Sequence, residues 1–185
     1  DIYNGWEGRK RFDSLDDLAK DLGRANLRAL RIDYTNPEKF FVAPVVPAKG
    51  NSSHEFVVLV DPLSKAAKPM IEAMRRMASE YGATFYVMPT PIISDKSIPV
   101  VTNLICAAPK ANPLDAIQAG KIPAVSKCDK KQAMDLIKAN YSLFRLMRFN
   151  GAPVTIDAGG QGDVIIGYEA KAYEAWVKDH MESEK

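Results

Sequence analysis

Cysteine is scarce in this sequence: Cys106 and Cys128 are the only two among 185 residues. Neither belongs to a Cys-x-x-Cys motif, which excludes both a zinc site built on that motif and a local redox pair. Two cysteines at this separation permit one disulfide, which would stabilise the fold by about 3 kcal/mol in the chain-entropy model. Two unrelated buried thiols are the alternative, and composition does not decide between them.

Charge of one sign is not in excess, since 25 basic and 23 acidic residues leave a net charge of +2. The longest basic cluster, residues 9–11, is typical of a solvated loop rather than of a phosphate-binding patch. Surfaces that bind nucleic acid or anionic membranes usually carry a marked basic excess. We therefore expect no nucleic-acid partner.

Long apolar runs are also missing, because no stretch reaches the roughly 18 residues that a membrane-spanning helix needs. The chain starts at Asp1 with neither a methionine nor a charged-then-apolar leader. We interpret it as a mature or truncated piece, and a removed signal peptide is compatible with that start. With 46% hydrophobic residues, the chain is long enough to bury one sizeable core.

What the sequence does contain is a strand–helix–strand pattern. Residues 56–60 are an unbroken apolar run rich in valine, which predicts a central strand buried on both faces. A helical pattern follows and ends at Gly82, and a second strand over residues 83–88 is broken by Pro89. Such a unit should pair its two strands in parallel with a right-handed crossover.

The second half of the chain is predicted to be helical and then to return to β-structure. Three helices are expected. The first starts at Asp95 or Ser97, the second after the Asn112 cap and the third after the Asp129 cap. A hairpin with its turn at residues 158–163 and a final amphipathic helix follow. The glycines of that turn do not fit a phosphate-binding loop, since no Lys-Ser/Thr pair and no helix follow them. Met70, Met74 and Met77 are interpreted as core, with a pliable peptide-binding surface as the alternative.

Three local patterns carry a resemblance to a known family. In the first, the strand runs through Asp61 into a helix start whose residues are Ser64, Lys65, Ala66 and Ala67. The second is Gly151-Ala152-Pro153 just before a strand, and the third is the cysteine pair with Ala119-Gly120-Lys121 between its members. Together they resemble the periplasmic thiol:disulfide isomerases of the DsbC/DsbG type.

The resemblance assigns positions to the active site. In that family an aspartate is followed by the redox Cys-x-x-Cys, so Ser64 takes the place of the attacking cysteine and Ala67 that of the resolving one. The family's Gly-Thr-Pro implies that Pro153 is cis and that Ala152, in place of the usual threonine, lines the substrate groove with it. No metal and no other cofactor is implied.

The resemblance also implies a structural disulfide between Cys106 and Cys128, and hence an oxidising, periplasmic location. The implied fold class is α/β, a thioredoxin-like fold with an inserted helical subdomain, preceded by a short linker helix. We assign residues 54–185 to this domain, with the insert at about 95–147. Residues 1–53, Pro- and Gly-rich from residue 36, are assigned to the linker and the end of a dimerisation-type domain, which would make the full protein a homodimer.

The implied activity is exchange on the disulfides of client proteins, with a membrane reductase as a possible further partner of the active form. Exchange needs two thiols, so the chain as written should not perform it. Either cysteines were replaced deliberately at positions 64 and 67, or the lineage lost them. The alternative function is a non-catalytic thioredoxin-fold module that binds peptides as a chaperone or within a secretion or conjugation apparatus.

A serine hydrolase is not expected. Ser64 would need a general base within hydrogen-bond reach. The sequence has two histidines, His54 and His180, and we expect both to be exposed surface residues.

Overall fold

The computed structural model of the chain describes residues 2–4, 10–12, 32–48, 54–125, 127–147, 149–160 and 162–182. The first two segments are the strands β1 (Ile2–Asn4) and β2 (Lys10–Phe12), which pair antiparallel. The predicted linker helix lies outside the described residues.

The main sheet has five strands and is mixed. Its strands are β3 (Ala43–Val45), β4 (His54–Val60), β5 (Ala83–Pro89), β6 (Val154–Asp157) and β7 (Val164–Ile166), in the spatial order β3-β5-β4-β6-β7. The β4–β5 pair is parallel and the other three pairs are antiparallel. The predicted parallel strand–helix–strand unit and the returning hairpin are therefore confirmed.

Five helices surround this sheet in the described part of the chain. They are α1 (Ala67–Tyr81), α2 (Ser97–Ala107), α3 (Pro113–Ala119), α4 (Lys130–Leu146) and α5 (Ala170–Glu182). The Asn112 and Asp129 side chains accept backbone N–H bonds at the starts of α3 and α4, as expected of N-caps. None of these helices is both long and apolar enough to cross a membrane.

The core has two parts because β4 is buried on both faces. Phe56, Val58 and Val60 face the helices α1 and α5, whereas Val57 and Leu59 face the C-terminal half of α4. The three methionines of α1 are fully buried in the first of these clusters, which confirms their interpretation as core. Alternation along one strand thus separates two apolar layers and fixes the plane of the sheet.

The segment predicted as a linker or edge supplies the edge strand β3, which pairs with β5 ahead of residue 54. Its exposed central residue, Pro44, lacks a backbone N–H, as is typical of edge strands. The division of the chain into two domains stays a prediction.

Candidate functional site

The turn between β4 and α1 holds Ser64 at the start of the helix. The Ser64 N–H donates to the Asp61 carbonyl at 2.9 Å, and the Ser64 carbonyl accepts from the Ala67 N–H at 3.1 Å. Its hydroxyl oxygen accepts from the Ala66 N–H at 3.1 Å. An atom at the Oγ position of residue 64 is therefore held against the Ala66 N–H at the start of α1, where a negative charge is favoured.

Ala67 is the first residue of α1 and is only 1% exposed. Ser64, by contrast, is half-buried and open to solvent on one side. The two positions that the resemblance pairs thus lie in one turn, with residue 64 outermost and residue 67 packed against the core.

The Asp61 carboxylate organises the surroundings of this turn. It is fully buried and accepts four hydrogen bonds of 2.7–2.9 Å. The donors are the backbone N–H groups of Leu63, Ile92 and Ile93 and the hydroxyl of Ser97. A buried carboxylate is tolerated only when it is satisfied in this way. Asp61 therefore fixes the Ser64 turn to the loop after β5 and to the start of α2.

The Ala152–Pro153 peptide bond is cis, as the resemblance implied. Pro153 is buried, and its carbonyl accepts from the Gly167 N–H at 2.7 Å. Because Leu59 pairs with Val154 in the antiparallel β4–β6 ladder, one further step along the ladder brings Pro153 level with Val60. The cis proline therefore lies beside the strand end from which the Ser64 turn departs.

Two neighbours of the cis proline have distinct roles. At Gly151, a Cβ atom would come within 2.8 Å of the Ile166 side chain, so the close approach of β7 favours glycine there. Ala152 donates and accepts no hydrogen bond among the residues that the structure describes. Its backbone N–H and carbonyl are left for solvent or for a ligand.

Exposed apolar side chains surround the turn. Leu63 is 48% exposed, Ile93 is 58% exposed and Ile166 is 46% exposed. The N–H groups of Leu63 and Ile93 bind the same Asp61 carboxylate, and the Ile166 side chain adjoins Gly151. No sequence signal pointed to this group, which we call the apolar rim, because Leu63 and Ile93 lie in turns, where apolar residues give no periodic signal.

Cys106 and Cys128 form a disulfide with a Cα–Cα distance of 5.4 Å, so the pairing implied by the resemblance is confirmed. It joins the end of α2 to the segment before α4. Ser97, at the other end of α2, touches the Asp61 carboxylate. Nine residues of helix place Cys106 about 14 Å further along the axis, so this disulfide is separate from the Ser64 turn.

The two histidines are not exposed surface residues, and that prediction was wrong. His54 is the first residue of β4, 2% exposed, and its Nε2 bonds to the buried Asp157 carboxylate. His180 stacks on Trp176 and its Nε2 lies 3.1 Å from Asp163 Oδ2. The sequence could not show the contacts with Asp157 and Asp163, because these partners are 103 and 17 residues away in the chain.

Neither histidine serves Ser64 as a base. His54 stands at the opposite end of β4 from the Ser64 turn, six steps or about 20 Å from Val60. Asp157 and Asp163 flank the β6–β7 turn, whose Gly160 N–H donates to Asp157 Oδ1 at 3.0 Å. The histidines therefore hold the hairpin, and the turn is structural, as predicted.

The described residues contain no group of three or more histidine, cysteine or acidic side chains arranged to hold a metal ion. Two titratable groups with clearly shifted pKa values lie on α5. Burial raises the pKa of the Tyr173 hydroxyl, which also bonds to Thr155 Oγ1 at 2.8 Å. The Arg76 guanidinium, which donates to Glu174, lowers the pKa of that carboxyl to about 2. Both groups belong to contacts between α5 and its neighbours.

The chain matches no protein-family model and no curated protein. Among solved structures it is similar to a linker-deletion variant of ScsC from Proteus mirabilis, with a TM-score of 0.67, 13% identity, and 91% of this chain and 87% of that one covered. The fold is thioredoxin-like. The predicted fold class is confirmed, apart from the linker helix outside the described residues.

Two further structures support this fold. A periplasmic thioredoxin-like protein from Salmonella enterica serovar Typhimurium matches with a TM-score of 0.61, 17% identity, and 94% and 99% of the two chains covered. A disulfide interchange protein from Neisseria gonorrhoeae matches with a TM-score of 0.56, 21% identity, and 76% and 95% covered. At these identities the likeness establishes the fold alone.

Proposed function

We propose that this chain is a member of the DsbC/DsbG-type thiol:disulfide isomerase family that binds segments of client proteins but performs no dithiol exchange as written. The observation that carries the proposal is Ser64, held at the start of α1 in the turn beside the cis Pro153. A thiol at residue 64 would meet the Ala66 N–H at a helix start, a position that stabilises a thiolate, and residue 67 lies one helical turn away.

The chain as written lacks the chemistry for exchange. A thiolate must attack a client disulfide, and a second thiol must release the mixed disulfide. The Ser64 hydroxyl does not ionise near neutral pH, and Ala67 carries no nucleophile. The only two cysteines of the sequence are joined to each other, well away from this turn.

With cysteines at both positions, the expected reaction balances in two steps. The thiolate at 64 attacks one sulfur of a client disulfide, a mixed disulfide forms, and the client's other sulfur leaves as a thiolate. That thiolate attacks elsewhere in the client and completes isomerisation, or the thiol at 67 attacks the mixed disulfide and releases the reduced client. The second route leaves a 64–67 disulfide, which a membrane reductase must reduce.

Partners and location follow from the same proposal. The clients are proteins with disulfides. The compartment is the periplasm, and the name of the similar Salmonella protein describes that protein as periplasmic. A homodimer is expected if the whole protein carries the N-terminal domain that the resemblance implies.

A second function, non-catalytic peptide binding, is favoured by a specific observation. The backbone N–H and carbonyl of Ala152 are unused among the described residues, and the apolar rim lies next to them. An extended segment could pair with Ala152 and bury its side chains on the rim, as in strand addition. Such binding needs no cysteine.

Insulin reduction by dithiothreitol separates the two functions. We expect Ser64→Cys/Ala67→Cys to accelerate it and the chain as written not to. The matched control is Lys131→Cys/Met134→Cys, which puts the same spacing into the first turn of α4, away from Pro153. Acceleration by the control as well would show that any helix-start dithiol suffices. If neither variant accelerates reduction, the enzyme proposal is wrong and peptide binding remains.

A further inference from the structure

Two lysines stand at the start of α1, where positive charge is unfavourable. The exposed Lys65 and Lys68 flank the Ala66–Ala67 step, and the first turn of α1 contains no acidic residue. The N-terminus of a helix carries a partial positive charge, so cations there are destabilising. A local arrangement that breaks such a rule without a compensating contact points to function.

No compensating contact exists in the described part of the chain. Lys65 and Lys68 form no ion pair there, and neither does the exposed Lys96 at the start of α2. Elsewhere on the surface, Arg75 pairs with Asp115 and Arg76 pairs with Glu174. Other exposed lysines, among them Lys130 and Lys131, also have no described ion pair. Three of the ammonium groups without a described ion pair thus lie around the Ser64 turn.

These lysines adjoin the apolar rim. Lys65 follows Leu63 by two residues, and Lys96 precedes Ser97, whose hydroxyl binds the same Asp61 carboxylate as the Leu63 and Ile93 N–H groups. Tyr168 OH, on the loop after β7, donates to the Pro69 carbonyl and keeps that loop beside the start of α1. A ligand on the rim would therefore meet positive charge on two sides.

We propose that the Ser64 surface selects extended client segments whose apolar centre is flanked by aspartate or glutamate. This inference rests on the proposed function and names the kind of segment bound. The apolar residues would pack on Leu63, Ile93 and Ile166, and the backbone would bond to Ala152. The flanking carboxylates would neutralise Lys65 and Lys68 and relieve their repulsion with the helix dipole.

The test is fluorescence anisotropy of three labelled peptides on the full chain. The peptides share an apolar centre of leucine and valine and differ in their flanks, which are glutamate, glutamine or lysine. We expect the glutamate peptide to bind most tightly and the lysine peptide most weakly. Added salt should reduce this difference, since exposed charges are screened over about 10 Å at 0.1 M.

Lys65→Gln/Lys68→Gln should weaken the glutamate peptide about fivefold and leave the glutamine peptide unchanged. The matched control is Lys130→Gln/Lys131→Gln, which removes two exposed lysines from the first turn of α4, far from the rim. Neither change removes a described contact, and loss of an unfavourable charge should not destabilise the fold. Thermal unfolding of both variants checks this.

The outcomes separate the inference from the proposed function. Equal affinity for the glutamate and glutamine peptides, or an equal loss in the control variant, overturns the charge selection. Suppose that charge selection fails in this way but Leu63→Ser/Ile93→Ser abolishes binding of the glutamine peptide. The rim then binds clients without regard to charge, and the proposal of peptide binding stands. If no peptide binds at all, the inference and peptide binding at this surface are both wrong.

Discussion

The carboxylate of Asp61 and the hydroxyl of Ser97 lie 2.9 Å apart in the interior, although 36 residues separate them in the chain. This contact joins the end of β4 to the start of α2. Since the same carboxylate also holds the backbone of Leu63 and Ile93, one side chain fixes the candidate site and two of the three residues of its apolar rim. The geometry of the surface around Ser64 therefore depends on a residue that is itself fully buried.

Asp61→Asn should destabilise the protein by about 2–4 kcal/mol. The amide offers one acceptor oxygen in place of two and turns its NH₂ group toward N–H donors, which leaves buried groups unsatisfied. Urea unfolding measures the change. Asp95→Asn, at an exposed carboxylate two residues before Ser97, is the control and should stay within about 0.5 kcal/mol. Equal effects of the two substitutions would mean that the Asp61 bonds contribute little.

The disulfide should stabilise the helical insert without serving the candidate site. Cys106→Ala/Cys128→Ala is expected to lower the free energy of unfolding by about 3 kcal/mol, because the unfolded chain regains the entropy of an open loop. Urea unfolding with and without dithiothreitol checks this. The reductant should destabilise the unsubstituted chain and leave the free energy of unfolding of the alanine variant unchanged. If dithiothreitol also destabilised the alanine variant, the reductant would have an effect other than the loss of this disulfide.

The elements that sequence predicted well are those with local signals. The apolar run of β4, the Gly82 stop of α1 and the Asn112 and Asp129 caps all report on residues close in the chain, and the structure has each of them. The cis proline and the disulfide followed from family resemblance instead. Both depend on contacts across the fold that no periodicity encodes.

The parts that sequence could not predict depend on distant partners. His54 and Asp157 are 103 residues apart, and only the β4–β6 pairing brings them together. Sequence alone therefore predicted that His54 is a surface residue. Leu63 and Ile93 are exposed because Asp61 fixes the backbone of their turns. Their apolar character alone would predict that both side chains are buried. Strand β3 forms only because β5 offers it an edge.

The folding stability of the protein should depend on pH through the Glu174 carboxylate. Its folded pKa of about 2 lies below the ordinary glutamate value of 4.5, because Arg76 and the Tyr81 hydroxyl both donate to the carboxylate. A lowered folded pKa gives stability that is complete above the unfolded value and is lost as the pH falls from about 4.5 through about 2. Glu174→Gln should thus be less stable than the unsubstituted chain at neutral pH.

That difference in thermal midpoint should shrink as the pH approaches 2. Arg76→Gln/Glu174→Gln is the matched control, because both charges of the Arg76–Glu174 pair are then removed. Its thermal midpoint should be little lower than that of Glu174→Gln alone. A midpoint difference that is the same at neutral pH and near pH 2 would contradict a role for the ionised carboxylate.

A cysteine at position 64 should be a strong thiol acid. In Ser64→Cys/Ala67→Cys, the Ala66 N–H and the start of α1 face the sulfur, and Lys65 and Lys68 add unpaired positive charge. We expect its pKa to lie well below the roughly 8.5 of free cysteine, as read from the ultraviolet absorbance of the thiolate. Adding Lys65→Gln/Lys68→Gln should raise that pKa, whereas adding Lys130→Gln/Lys131→Gln should not. A thiol that titrates like free cysteine would mean that the turn does not stabilise an anion at position 64, and the enzyme proposal would lose its physical basis.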